Sequence, residues 1–178
     1  MSLSGFFSHR ILQVEPSPTL RIAAEAQALK AAGQDVIDLS LGEPDADTPR
    51  PVKQGGIAGI QQGDTRYTPV GGILELKNAV VEKFQRENHI TFSPQNIIIS
   101  NGAKQVIFNM LMITLNKGDE VIIPAPYWVS YPDITLLASG TPVIVPCGAM
   151  SGEASSANFK ITPEQLERAI TPRSKWLI

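Results

Sequence analysis

Short apolar runs alternate with helically spaced apolar residues through the second half of the chain. Four strand-like runs, the first three containing mostly β-branched or proline residues, lie at 97–100, 121–123, 142–145 and 175–178. Segments with helical spacing of apolar residues lie between them, at 103–115, 128–138 and 163–170. Because strands alternate with helices, the pattern predicts an α/β fold with a mostly parallel sheet and flanking helices.

The first half of the chain is predicted to be mainly helical. Apolar spacing predicts helices over 19–32, 49–61 and 73–87, the first of them stopped by a glycine at position 33. A short strand is predicted at 36–39, and residues 1–18 have the character of a loosely structured arm.

The connection at Asn101-Gly102 carries the first candidate chemistry. A strand that turns through glycine into a helix points several backbone N–H groups at one spot, under the positive end of the helix dipole. Lys104 falls in the first helical turn, where a cation is electrostatically misplaced by roughly 0.3–1 kcal/mol unless an anion docks beside it. The motif alone leaves two interpretations open, a phosphate site or an ordinary strand–helix connection with a surface lysine.

Three aromatic residues, Tyr127, Trp128 and Tyr131, follow the strand predicted at 121–123. Ligands of open α/β sheets bind beyond the carboxyl ends of the strands, which is where these rings are predicted to lie. Trp128 offers a flat face on which a planar heteroaromatic ring can stack. The alternative is that Trp128 and Tyr131 pack the start of the following helix.

Composition and charge exclude several classes of protein. The chain has 178 residues, 43% of them hydrophobic, and its net charge of −2 argues against a nucleic-acid surface. One cysteine, Cys147, cannot form an internal disulfide and fits a reducing compartment. No apolar run approaches the ~20 residues that span a bilayer, and the first residues lack the features of a secretory signal, so we expect a cytoplasmic protein.

Four motifs carry a resemblance to a known family. In chain order they are Ser40-Leu41-Gly42-Glu43-Pro44-Asp45, Arg66-Tyr67-Thr68-Pro69-Val70-Gly71-Gly72, Asn101-Gly102-Ala103-Lys104-Gln105 and Pro126-Tyr127-Trp128-Val129-Ser130-Tyr131-Pro132. Together they resemble the class I aminotransferases of pyridoxal 5'-phosphate (PLP) fold type I, most closely the prokaryotic aspartate aminotransferase branch. The resemblance implies an N-terminal arm and a small-domain portion at 1–48, and the first part of the large PLP-binding domain, truncated, at 49–178.

The resemblance also implies roles for particular residues. It assigns to the cofactor Tyr67, Gly102, Ala103, Lys104 and Trp128. It assigns to the substrate Gly42, Thr19, Lys104 and Trp128. Many relatives have a small hydroxyl residue where Lys104 stands, and similar lysines in the prokaryotic branch point toward an acidic substrate side chain.

The implied activity is amino-group transfer between aspartate, or a similar amino acid, and 2-oxoglutarate, by an enzyme that is a homodimer when full length. The family's Schiff-base lysine lies in a Ser-x-x-Lys segment, and no lysine of this chain has serine three positions before it. We therefore expect no catalytic residue in this chain, which is read as the inactive N-terminal part of a larger protein. The alternatives are another fold-type-I enzyme, such as an aromatic or prephenate aminotransferase or a lyase, and a truncated non-catalytic module.

Overall fold

The computed structural model describes residues 5–148 and 159–178, which contain six α-helices and three β-strands. In chain order these are α1 (Pro18–Ala31), α2 (Arg50–Gln62), α3 (Leu74–Lys83), α4 (Gly102–Thr114), β1 (Glu120–Ala125), α5 (Ser130–Leu137), β2 (Thr141–Pro146), α6 (Pro163–Ala169) and β3 (Ser174–Leu177).

The chain divides into two compact units. The first combines the chain up to Leu41 with the chain from Val106 onward, and the second is Gly42–Gln105. The first unit contains α1 and the three strands, whereas the second contains α2 and α3. The domain boundary expected after residue 48 stays a prediction.

A three-stranded parallel sheet forms the centre of the first unit, in the order β2-β1-β3. Ile122 on the central strand is in register with Val143 on one side and Leu177 on the other. Val121, Ile122 and Ile123 are almost completely buried, as expected for a strand covered on both faces. The predicted α/β fold with a parallel sheet is therefore confirmed.

The core of the first unit lies between β1 and the helices α4 and α5. Leu111 and Leu115 pack there with Val121, Ile123 and Ile134. Burial of each such side chain contributes about 1.5–3 kcal/mol to folding. This core fixes the direction of β1. The carboxyl end of β1 leads into the aromatic cluster, which consists of Tyr127, Trp128 and Tyr131.

Two segments predicted as strands, 36–39 and 97–100, belong to no sheet of the described residues. Ile99 N–H donates to the carbonyl of Gly71 at 3.0 Å, and Ile98 next to it is 75% exposed. A β-branched run favours extended backbone, but a strand also needs a neighbour whose donors and acceptors match its own. These two strand predictions were wrong in that respect.

Helix α4 is less buried than its apolar sequence predicts. Leu111 is almost fully buried, but Ile113 is 76% exposed and Val106 is 43% exposed. Only one side of the helix packs against the core, so apolar side chains on its other side remain exposed among the described residues. The segment 103–115 is apolar around most of a helical circumference, which predicts a well-buried helix; that prediction was wrong for Ile113 and Val106.

Candidate functional site

Helix α4 begins at Gly102, where the predicted phosphate site lies. The turn before it is held by two hydrogen bonds: Gly102 N–H donates to the carbonyl of Ser100 at 2.9 Å, and Asn101 N–H donates to Oε1 of Gln105 at 2.6 Å. The first turn of this 13-residue helix has no acidic residue. Its backbone N–H groups and dipole therefore favour an anion at this end.

Gly102 is required by the backbone of this turn. Its φ of +79° lies in the left-handed region, which costs most other residues roughly 1–2 kcal/mol. A Cβ added at Gly102 would meet nothing within 4 Å. The space beside Gly102 is open, so the requirement is conformational and the backbone remains approachable.

Lys104 is exposed in the first turn of α4, as the sequence predicted. Ala103 precedes it and is also exposed. Gly102, Ala103 and Lys104 are thus consecutive residues of one exposed, positively polarised helix start. This arrangement suits a phosphate or a carboxylate group.

Trp128 and Tyr131 contact each other beyond the carboxyl end of β1. Their rings meet edge to face, with centroids 5.5 Å apart and an interplanar angle of 78°, and Tyr131 N–H donates to the carbonyl of Trp128 at 3.0 Å. Tyr131 also packs against the core, whereas Trp128 remains 42% exposed. Trp128 therefore packs at the start of α5 and still presents indole surface to solvent, and its stacking on a heteroaromatic ring stays a prediction.

A groove of about 630 Å³ in the first unit brings Thr19 close to the aromatic cluster. Thr19 and Ile22 of α1 line one part of it, Ser40 lines another, and Val129, the neighbour of Trp128, lines a third. The volume lies within the ~300–1,000 Å³ of small-molecule sites. Sequence reasoning named Thr19 but did not find this groove, because its walls are separated by about a hundred residues.

Gly42 and Tyr67 belong to the second unit. Both are exposed, and a Cβ added at Gly42 would meet nothing within 4 Å. The φ of Gly42 is outside the left-handed region, so backbone conformation does not explain this glycine. Tyr67 is fully exposed beside the equally exposed Val70. The roles of Gly42 and Tyr67 stay predictions.

One resolved pKa shift lies at the groove of the first unit: hydrogen bonds from Ser40 lower the pKa of Asp38, and both residues line this groove. A hydrogen bond from Thr171 lowers the pKa of Glu120, and the backbone N–H of Asn116 lowers the pKa of Asp119. Burial raises the pKa of Asp133 in the first turn of α5.

Within residues 5–148 and 159–178, no group of three or more acidic, histidine or cysteine side chains is placed to hold a metal ion. No helix in those ranges is long and apolar enough to cross a membrane.

Comparison with known proteins shows the family. Residues 34–178 match the model of aminotransferase class I and II. The chain is 53% identical over 174 residues to the aspartate/prephenate aminotransferase of Cereibacter sphaeroides, covering 98% of this chain and 42% of the relative. It is 50% identical over 171 residues to the aspartate/prephenate aminotransferase of Nitrosomonas europaea, covering 96% of this chain and 42% of that relative.

Solved structures agree with the sequence relatives. The aspartate aminotransferase from Rhizobium meliloti superposes with a TM-score of 0.87 at 47% identity, covering 96% of this chain and 41% of that one. The Thermus thermophilus aspartate aminotransferase with maleate superposes with a TM-score of 0.87 at 42% identity, covering 96% of this chain and 43% of that one. The chain thus spans about 42% of the length of its relatives. It belongs to the class I and II aminotransferase family.

Proposed function

We propose that the protein carrying this chain is a PLP-dependent aminotransferase that exchanges amino groups between dicarboxylic substrates. The observation that carries the proposal is the start of α4, where Gly102 at φ +79° opens an anion-binding helix end that includes Lys104. Family membership supports the reaction class, and the relatives named aspartate/prephenate aminotransferase support acidic substrates.

Each residue assigned to the cofactor has chemistry that suits one part of PLP. The backbone at Gly102, Ala103 and Lys104 offers N–H donors and dipole to its phosphate, and no carboxylate in the first turn of α4 opposes that charge. The exposed indole of Trp128 offers a surface on which the pyridine ring stacks. Tyr67 donates its hydroxyl to the phosphate in this proposal. When bound, PLP supplies the electron sink for amino-group transfer.

The substrate is held by a second set of groups in this proposal. Gly42 N–H binds the α-carboxylate, since glycine lets main chain approach a ligand closely. The backbone of Lys104 serves the phosphate in this proposal, but its side chain is long and flexible. It can extend beyond the start of α4 toward the distal carboxylate of a substrate. Thr19 contributes a hydroxyl to the groove that Val129 also lines.

Assembly and location follow from the same proposal. We infer a homodimer when the protein is full length, because Tyr67 and Val70 are fully exposed in one short segment and suit a role in a second subunit's site. Amino acids and 2-oxo acids, with 2-oxoglutarate as the acceptor, are the proposed partners. The proposed location is the cytoplasm.

The test is amino transfer by the full-length protein. We expect the full-length protein to transfer the amino group of aspartate to 2-oxoglutarate, and to aminate prephenate with an amino donor. Coupled assay and mass spectrometry measure the two reactions. Trp128→Ala should weaken PLP affinity about three- to tenfold, the loss of a stacking contact of about 0.5–1.5 kcal/mol. Trp176→Phe is the control, because Trp176 packs on the core and donates to Thr114 at 2.9 Å.

Different failures identify the alternatives. Elimination or other lyase products from aspartate, without transfer, would favour a different fold-type-I activity. PLP binding without any turnover would favour a non-catalytic module. Unchanged PLP affinity in Trp128→Ala would remove the stacking role of Trp128.

A further inference from the structure

A second groove of the first unit lies at the opposite end of the sheet from Trp128. It has a volume of about 480 Å³ and is lined at its base by Gly118, before β1, and by Thr141, the first residue of β2. Trp128 instead follows the carboxyl end of β1. Six residues of β1 separate the two ends by roughly 17 Å, so this groove is distinct from the proposed PLP site.

The charged residues lining this groove are all basic. His9 and Arg10 come from the N-terminal arm, and Lys117 comes from the turn before β1. Within the described parts of the chain, neither Arg10 nor Lys117 forms an ion pair. Asp119, the nearest carboxylate in sequence, is already bound by Lys175 at 2.9 Å. Two cations therefore share one groove without a compensating anion.

The groove also contains hydrogen-bonding and apolar surface. Ser139 and Thr141 line it, and neither hydroxyl has a hydrogen-bond partner among the described residues. Ser139 has a φ of +68° because it ends α5 in the left-handed conformation, where its N–H donates to the carbonyl of Leu136 at 2.9 Å. Leu136 and Pro142 add apolar walls.

We propose that this groove binds an organic anion, whose phosphate or carboxylate lies between Arg10 and Lys117 and whose apolar body packs on Leu136 and Pro142. The short helical turn Ile11–Gln13, next to Arg10, has no buried residue, so the arm is held by few apolar contacts. An anion that bridges the arm and the sheet therefore also fixes the arm. The proposal is independent of the reaction at the PLP site.

Phenyl phosphate is the probe, used on the full-length protein loaded with PLP so that the cofactor site is already filled. We expect saturable binding by calorimetry and protection of the Arg10–Ile11 bond from trypsin, measured by mass spectrometry of the released N-terminal peptide. Lys117→Gln leaves that cleavage site intact and should weaken binding about tenfold or more, the effect of losing one charge-assisted contact. Lys83→Gln removes an equal charge from α3 and should bind the probe as the unmodified protein does.

Three results would overturn the proposal. They are equal affinity of the unmodified protein and Lys117→Gln, no protection of the Arg10–Ile11 bond at saturating probe, and no binding of phenyl phosphate by protein that is loaded with PLP. PLP absorbance, followed in the same samples, should be unaffected by Lys117→Gln. A protein that binds PLP but not phenyl phosphate would contradict this inference and leave the proposed function standing.

Discussion

Gly72 faces Ile99 so closely that no larger residue fits between them. A Cβ added at Gly72 would lie 2.5 Å from Cγ1 and 2.8 Å from Cβ of Ile99. Gly72 also has a φ of +99°, and the adjacent Gly71 accepts a hydrogen bond from Ile99 N–H at 3.0 Å. Since Ile99 leads directly into the turn at Gly102, this glycine pair positions the segment that opens α4.

We therefore expect Gly72→Ala to be strongly destabilising, by about 2–4 kcal/mol, because left-handed strain and overpacking against Ile99 add together. Gly71→Ala is the matched control. Its Cβ would meet mainly Nζ of Lys77 at 3.0 Å, the far end of a flexible side chain. Denaturant unfolding of both full-length variants is the measurement. Equal losses of stability would show that the contact with Ile99 does not govern this turn.

A second prediction concerns Glu120, which is buried at the start of β1. Its carboxylate accepts hydrogen bonds from Thr171 Oγ1 at 2.5 Å and from Nη2 of Arg173 at 2.6 Å. Glu120→Gln removes the charge that these donors share and should lower Tm by about 4 °C or more. Glu87→Gln breaks an exposed pair with Arg86 and should change Tm by no more than about 1 °C. Indistinguishable melting of the two variants would contradict the role of the buried network.

The pH dependence of stability follows from the same carboxylate. The Thr171 hydrogen bond holds the pKa of Glu120 below its ordinary 4.5 in the folded state. A lowered folded-state pKa gives stability that is fully present above pH 4.5 and is lost as pH falls through the folded value. The difference in Tm between the unmodified protein and Glu120→Gln should therefore shrink below pH 4.5. A difference that stays constant from pH 7 to 3 would exclude this linkage.

The sequence predicted those elements whose signals are local. The helices and β1, β2 and β3 were predicted within a few residues, because apolar period and glycine or proline stops act over short distances. The glycine turn at 102 was found for the same reason. The contact of Gly72 with Ile99 was missed, because nothing near Gly72 in the sequence shows which side chain will approach it. The second groove of the first unit was missed too, because Arg10 and Lys117, which both line it, lie far apart in the sequence.

Covalent attachment of PLP provides a fourth test. None of Lys30, Lys53, Lys77, Lys83, Lys104, Lys117, Lys160 and Lys175 lies in a Ser-x-x-Lys segment. We expect the 178-residue chain alone to show no transaminase turnover and no stoichiometric PLP adduct after borohydride reduction. Mass spectrometry of the digested chain is the measurement. A single lysine modified to completion would overturn the prediction and identify a different attachment site.

Lys104 gives the sharpest prediction about substrate choice. The backbone at the start of α4 already supplies donors for a phosphate, so the added cation serves either the cofactor or the distal carboxylate of the substrate. If it serves the substrate, Lys104→Ser in the full-length enzyme should leave PLP affinity nearly unchanged. It should lower kcat/KM for aspartate by roughly tenfold or more, the loss of one charge-assisted contact of about 1.5–3 kcal/mol.

An apolar amino acid lacks that distal carboxylate, so its kcat/KM should change little in Lys104→Ser. Lys83→Ser removes the same charge from α3, where Lys83 pairs with Glu87 at 3.4 Å, and should leave both substrates unaffected. Equal losses for acidic and apolar substrates, or a large drop in PLP affinity, would assign Lys104 to the cofactor. The comparison is decisive because a phosphate contact affects every substrate alike, whereas a contact with the distal carboxylate affects only the substrates that have one.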